Sequence, residues 1–224
     1  MSHFKSIAID GPAASGKSSV GLELSKRLGY LFLDTGVMYR AVTWAALNKG
    51  FNMSDETNIS NLAADIKINI TQPSLKDGSF NDIHVDGVDV TRKITEKNVN
   101  DNVSQISKYK EVRNSLTLQQ QKIAQKGNIV MVGRDIGTVV LPNANCKFFL
   151  NASVDERAKR RHREEIKRGE NPNFEEIHSN ILKRDRIDST RALAPLIPAK
   201  DAIIIETDNK SIDQVVEEIL SNIK

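Results

Sequence analysis

Short apolar runs alternate with amphipathic stretches along most of the chain. Ser6-Ile7-Ala8-Ile9-Asp10 reads as a strand. Val20, Leu24 and Leu28 then recur at i, i+4 and i+8, predicting a helix that begins at Lys17 and stops at Gly29. Tyr30 to Leu33 is a second strand, followed by a helix carrying Val37, Ala41, Trp44 and Ala45. Ile129 to Val132, Lys147 to Leu150 and Ala202 to Ile205 complete the apolar strands. Buried strands separated by helices predict an α/β fold with a five-stranded parallel sheet covered on both faces.

Residues 62–105 break that rhythm. Ile66, Ile68 and Ile70 alternate, as do Ile83 with Val85 and Val88 with Val90, and Asp86-Gly87 lies between the last two pairs. Alternation implies one solvated face, and Asp-Gly favours a two-residue hairpin turn. The segment therefore reads as a small antiparallel domain inserted at 62–105 between core segments 1–61 and 106–224. Extra strands on the edge of the main sheet fit the same pattern.

Two caps are visible further on. Ser153-Val154-Asp155-Glu156 opens a very basic helix, and Ser211-Ile212-Asp213-Gln214 opens the terminal one, with Ile212, Val215, Ile219 and Ile223 as its core face. Phe174, Ile177 and Ile181 mark a helix between them that must end before Pro195 and Pro198.

Composition narrows the class of protein. With 39% hydrophobic and 27% charged residues, disordered, collagenous and disulfide-scaffold chains are excluded. A single cysteine cannot form an internal disulfide, which fits a cytoplasmic location. Met1 to Asp10 turns acidic before a signal-peptide core develops, so no secretory leader is expected, and no apolar run is long enough to span a bilayer, so no membrane partner is expected either. The net charge of +3 tolerates anionic substrates without arguing for nucleic acid.

The strongest chemical signal is Gly11-Pro12-Ala13-Ala14-Ser15-Gly16-Lys17-Ser18, with a strand before it and a helix after. This is a P-loop. Its backbone N–H groups form an anion nest, the helix start adds positive potential, Lys17 reaches the outer phosphates and Ser18 can ligate Mg²⁺. Gly11 to Ser19 are therefore the candidate ATP-binding residues. Asn48-Lys49-Gly50-Phe51 and Asn209-Lys210-Ser211-Ile212 both lack the aspartate of a guanine-reading motif. The strand at 129–132 runs into Gly133-Arg134-Asp135 instead of the acidic end of a motor ATPase strand. An arginine at a strand's carboxyl end suggests a second anion, hence a kinase with a phosphorylated acceptor.

Four motifs in order then carry a resemblance over essentially the whole chain. They are the P-loop; Leu33-Asp34-Thr35-Gly36-Val37-Met38-Tyr39-Arg40; Gly133-Arg134-Asp135-Ile136-Gly137-Thr138-Val139-Val140; and Arg184-Asp185-Arg186 with Asp188, Arg191-Ala192 and Ala194-Pro195-Leu196. Together they resemble the bacterial-type cytidylate kinases, P-loop nucleoside monophosphate kinases with an enlarged antiparallel monophosphate-binding domain and a short lid, here 153–172.

The resemblance implies phosphoryl transfer from ATP-Mg²⁺ to CMP and dCMP in pyrimidine metabolism. A monomer is expected, and no nucleic-acid partner, because Glu164, Glu165, Glu170, Glu175 and Glu176 follow the basic stretch 157–163 and no aromatic residues are interleaved in it. It assigns Arg40, Arg134 and Arg191 to the acceptor phosphate, and Asp188 and Arg184 to the ribose. It places Asp135, Arg113 and Ser104 around cytosine, supported by Thr35 and Tyr39. A carboxylate suits the cytosine amino group, where uracil would present a carbonyl lone pair. Arg157 and Arg161, one turn apart on the basic helix, are the lid arginines expected to act with Lys17 on the transferring phosphate. Taken singly, Arg40 and Arg113 also read as solvated helix residues, and Arg184 with Asp188 as a surface ion pair worth about 0.2–0.5 kcal/mol. Many relatives carry an acid where this chain has Val132. Asp34 is thus the candidate carboxylate for Mg²⁺ beside Ser18, and equally an N-cap for the next helix. A kinase for UMP, AMP or a small metabolite, or a non-catalytic nucleotide-binding protein, is the alternative reading.

Overall fold

The computed structural model describes residues 5–71, 74 and 81–223. Part of the expected insertion, residues 72, 73 and 75–80, lies outside the described residues. The chain divides into two compact units, residues 1–33 with 124–224, and Asp34–Ile123.

The first unit holds the strands β1 (Ser6–Asp10), β2 (Leu31–Asp34), β6 (Ile129–Gly133), β7 (Cys146–Asn151) and β8 (Ile203–Glu206). They form a five-stranded sheet in the order β2-β6-β1-β7-β8, with β6, β1, β7 and β8 running parallel. The expected parallel sheet is present. Its centre consists of Ile7, Ile9, Val130, Val132, Phe148 and Leu150, sealed by Val20 and Leu24 of α1 (Lys17–Leu28) and by Val215, Val216 and Ile219 of α8 (Ile212–Ser221). Ile212, expected in that face, is 48% exposed, and Val216 is buried instead. The edge strand β8 buries only Ile205, while Ile203 and Ile204 are 39% and 56% exposed.

Helix boundaries follow local chemistry. At Gly29, φ is 66° and its N–H returns to the Ser25 and Lys26 carbonyls, which stops α1 as expected. Ser211 and Gln214 form a complete capping box. The box at Ser153 is half made: Ser153 Oγ accepts from Glu156 N, but the Ser153 N–H donates to Asp208 while the Glu156 carboxylate pairs with Arg160. This cap opens α6 (Val154–Lys167), which packs on α7 (Phe174–Thr190) through Ala158, Ile177 and Ile181.

The second unit is wider than the strand alternation at 62–105 suggests. Its core joins α2 (Gly36–Asn48), α3 (Glu56–Asp65), α4 (Lys97–Ile106) and α5 (Lys110–Ala124) to a three-stranded sheet. That sheet has the order β3-β4-β5, from β3 (Ile68–Thr71), β4 (Asp82–Val85) and β5 (Val88–Asp89), with antiparallel pairing throughout. The hairpin turn is at Asp86-Gly87, whose φ values of 50° and 85° are the left-handed pair a type I′ turn requires. Ile83, Val85 and Val90 are buried as the alternation predicts, while Val88 is 50% exposed because β5 ends after two residues.

Candidate functional site

The P-loop follows directly from the last residue of β1. A Cβ on Gly11, whose φ is 150°, would lie 2.2 Å from the Leu150 carbonyl oxygen, so no side chain fits there. Ala14 at φ 58° and Gly16 at φ 93° turn the chain so that α1 begins at Lys17. The buried Lys17 ammonium donates to the Pro12 carbonyl at 2.5 Å and to Ser15 Oγ at 3.2 Å, which holds it over the loop. Ser18 and Ser19 occupy the first turn of α1. The loop thus combines tight left-handed turns, a helix N-terminus and a held cation, an arrangement suited to a polyphosphate.

β6 lies beside β1, with Gly133 opposite Asp10, so Arg134 and Asp135 emerge at the same end of the sheet as the P-loop. There they meet the end of α7. Arg134 Nε donates to Asp188 Oδ2 at 2.9 Å, and the Arg191 guanidinium lies 3.6 Å from Asp135 and 4.0 Å from Asp188. Burial pushes the Asp188 carboxyl up, but Arg134, Arg184 and Arg191 more than offset this and hold it below the usual carboxylate range. Three guanidiniums thus gather around two buried carboxylates. The excess is positive and rich in paired donors, which suits a phosphate dianion.

Arg184, Asp188 and Arg191 fall at i, i+4 and i+7, a spacing that would place them on one helical face, but Arg191 reaches this cluster differently. It is the C-cap of α7, in extended conformation, and its Nε donates to the Ala194 carbonyl. The helical face therefore comprises Arg184 and Asp188, and the turn at 191–196 brings Arg191 back beside them. The Leu196 N–H closes that turn on the Asp188 carbonyl at 2.8 Å.

The two arginines expected on the lid differ in setting. Arg157 is buried, donating to the Ala152 and Ala13 carbonyls and, through two parallel bonds of 3.0 and 2.6 Å, to Asp185. Arg161 sits nearer the surface and pairs with Glu164 at 3.3 Å. Three further residues of this region escape sequence reasoning. Arg160 donates to the Thr207 hydroxyl and carbonyl, and one of its terminal nitrogens lies 3.6 Å from where a Cβ on Gly16 would sit. The Thr207 hydroxyl in turn contacts the Ser15 carbonyl at 3.3 Å. Asp185, in the Arg184-Asp185-Arg186 motif, is the partner that fixes Arg157.

In the second unit, the buried Arg113 donates to the Ser107 carbonyl at 3.1 Å and lies 5.5 Å from the centre of the Tyr39 ring. Ser107 Oγ donates to the Ser104 carbonyl, so Arg113 and Ser104 share one turn of backbone. Arg113 is therefore no solvated helix residue. Arg40 donates to Asn100 Oδ1 and the Ile94 carbonyl. Thr35 is buried and is the N-cap residue of α2, but its side chain makes no cap bond. Asp34 Oδ1 accepts instead from the Gly36 N–H at 2.9 Å.

Among the described residues, no three His, Cys, Asp or Glu side chains gather to hold a metal by themselves. Val132 packs in the core of the first unit, 2.6 Å from where a Cβ on Gly21 would lie, and offers no ligand. No helix among the described residues is long and apolar enough to cross a membrane.

Comparison with known proteins identifies the family. The family model for cytidylate kinase matches residues 7–224. The chain is 48% identical over 219 residues to a cytidylate kinase of Streptococcus thermophilus, covering 97% of this chain and 95% of the relative. It is 43% identical over 219 residues to that of Bacillus subtilis, covering 98% and 96%. Among solved structures, a gluconokinase from Sinorhizobium meliloti superposes with a TM-score of 0.50 at 14% identity, over 98% of this chain and 91% of its own. An uncharacterized protein from Eubacterium ventriosum superposes with a TM-score of 0.53 at 13% identity, over 99% and 98%. At such identity these two speak for the fold alone. The matched model and the curated relatives speak for the family: this chain belongs to the cytidylate kinases.

Proposed function

We propose that the chain transfers the γ-phosphoryl group of ATP to CMP and dCMP, producing ADP with CDP or dCDP. The observation that carries this reading is the second anion site: Arg134, Arg184 and Arg191 around Asp188, at the end of the sheet that also holds the P-loop. A nucleotide sensor has no use for a second phosphate site.

The reaction is an in-line displacement. An oxygen of the CMP phosphate forms a bond to the γ-phosphorus while the bond to the β–γ bridging oxygen breaks, leaving ADP. The attacking phosphate is already anionic, so no strong general base is required. Catalysis is positioning and charge neutralisation. Lys17 neutralises the outer phosphates of ATP, and Arg134 and Arg191 hold the acceptor phosphate. Arg184 and Asp188 take the ribose, with the Asp188 carboxylate accepting from its hydroxyls.

Asp135 is assigned to the cytosine amino group. Arg113, packed on Tyr39, is assigned to the ring acceptors, with Ser104 and Thr35 beside the base and Arg40 on the phosphate. Four hydrogen bonds to protein groups occupy Arg157, which we assign to holding α6 against the P-loop. Arg161 is then the lid arginine for the transferring phosphate. Closure of the 153–172 lid excludes water and suppresses ATP hydrolysis.

The metal donors are oxygen only. Ser18, at the start of α1, offers a hydroxyl and Asp34 a carboxylate, a set that suits a hard cation retaining several waters. Bound there with ATP, Mg²⁺ would spread the charge of the phosphates. The reading includes a monomer acting in cytoplasmic pyrimidine metabolism, without nucleic-acid or membrane partners.

The test is ADP release by the purified protein with CMP, dCMP, UMP, AMP, GMP and shikimate as acceptors. CMP and dCMP should stimulate release well ahead of the rest. Release that no acceptor stimulates would overturn the kinase reading.

A further inference from the structure

Asp10 has no part in the chemistry above, yet it is 3% exposed and carries a carboxylate. Its two oxygens accept from two successive amides, Ile136 N at 2.8 Å and Gly137 N at 2.8 Å. Those amides open a single wide helical turn, Ile136–Val140, whose remaining start is built on the Asp135 carbonyl, which accepts from the Val139 and Val140 N–H groups. Asp135 itself has φ −147° and ψ 28°, outside the helical and strand regions. The conformation of the residue assigned to the base is thus bracketed by β6 on one side and by the Asp10 carboxylate on the other. Asp10 is also the residue immediately before Gly11.

We propose that Asp10 is a positioning residue for the acceptor site: it clamps the amides of Ile136 and Gly137 and thereby aims Arg134 and Asp135, tying acceptor recognition to the root of the P-loop. The proposal rests on the assignment of Arg134 and Asp135 to the acceptor. The groups facing Asp10 explain why an ordinary structural role is a poor account. Asp135 opposes it as a like charge and Lys17 attracts it, and burial dominates both, so the carboxyl is pushed up to about 6. Two amides of a turn can be satisfied at less cost by neutral oxygens. A buried carboxylate set against another carboxylate is costly, and such groups persist at functional sites. Only a carboxylate, however, presents two equivalent acceptors with fixed spacing to adjacent N–H groups.

The experiment is steady-state kinetics of Asp10→Asn with CMP, UMP and ATP varied separately, alongside thermal melting. One amide oxygen replaces two acceptors, so the turn should slacken. The KM for CMP should rise about tenfold or more, the preference for CMP over UMP should narrow, and the KM for ATP should stay within about twofold. Gly137→Ala perturbs the same turn at one of the two clamped amides, because its Cβ would crowd Lys147 Cδ at 3.1 Å while meeting Asp10 Oδ2 at an ordinary contact distance of 3.4 Å. It should reproduce the split even if Asp10→Asn proves too unstable to assay. Unchanged CMP kinetics in a folded variant, or equal losses for CMP and ATP, would overturn the proposal. Asp135→Asn, measured in parallel, separates the two layers. If it leaves base preference intact, the base assignment fails. If it abolishes that preference while Asp10→Asn and Gly137→Ala do not, the positioning role fails.

Discussion

The Arg134 guanidinium and the Asp188 carboxylate meet at 2.9 Å, joining the end of β6 to the last turns of α7. The pair fixes the orientation of an arginine assigned to phosphate and of an aspartate assigned to ribose in a single contact. Arg184 and Arg191 surround the same carboxylate, so its loss would leave three guanidiniums repelling one another.

Asp188→Ala is therefore expected to raise the KM for CMP and dCMP and to lower turnover. Hydrogen bonds to charged groups are worth about 1.5–3 kcal/mol, or roughly 10- to 150-fold in kcat/KM. The KM for ATP should change little. Steady-state kinetics with each substrate varied in turn checks both statements.

Arg157 and Arg161 should separate by the kind of damage their loss causes. Arg157→Ala removes one partner of a largely buried, two-bonded ion pair and should lower the melting temperature by several degrees, and Arg157→Lys should not restore it, because a single ammonium cannot make parallel bonds to Asp185. Arg161→Ala should melt normally while losing on the order of 10³-fold in kcat, the lower range for an arginine acting on the transferring phosphate. Melting curves beside turnover numbers distinguish the outcomes.

Stability should carry a pH signature from Asp10. Its carboxyl keeps a proton up to about pH 6 in the folded protein, against an ordinary value of 3.8, chiefly because of burial. The folded state thus binds more protons than the unfolded chain between these values. This contribution is complete below pH 3.8 and is lost as pH rises through about 6. Asp188 has the opposite sign, since its lowered value means stability lost as pH falls through it. Urea unfolding from pH 4 to 7 should show the first trend in the native protein and a flatter line in Asp10→Asn.

Base choice should reside in Asp135. Asp135→Asn turns one acceptor into a donor, which tolerates the uracil carbonyl, and should narrow the CMP-over-UMP ratio of kcat/KM by about 10- to 100-fold. Melting behaviour and the KM for ATP serve as controls.

The P-loop was legible because its glycines and Lys17 have a fixed spacing between a strand and a helix. The five strands were legible for a similar reason, as short apolar runs: β1, β6 and β7 are the buried centre of a covered sheet, while the edge strands β2 and β8 bury only Leu33 and Ile205. Asp10 was not legible: its partners are 126 and 127 residues away, and a polar residue at a strand end has no local pattern to distinguish it. The second unit was legible in its hairpin and in α2, while α3, α4 and α5 were not. Val99, Val103 and Ile106 of α4 follow helical spacing, yet they lie just after strand-like alternation and were absorbed into it. Arg191 matched the helical spacing of its neighbours but reaches them through a turn, a route that depends on tertiary bonds to residues 194–196. Arg157 lay in a visibly basic helix, and only its burial against Asp185 separates it from Arg161.

Following labelled γ-phosphate from ATP tests the central claim most directly. With CMP and dCMP present, the label should appear in CDP and dCDP, dependent on Mg²⁺ and on Lys17, with little in inorganic phosphate. Label accumulating only as inorganic phosphate, or passing preferentially to UMP, AMP or a non-nucleotide acceptor, would contradict it.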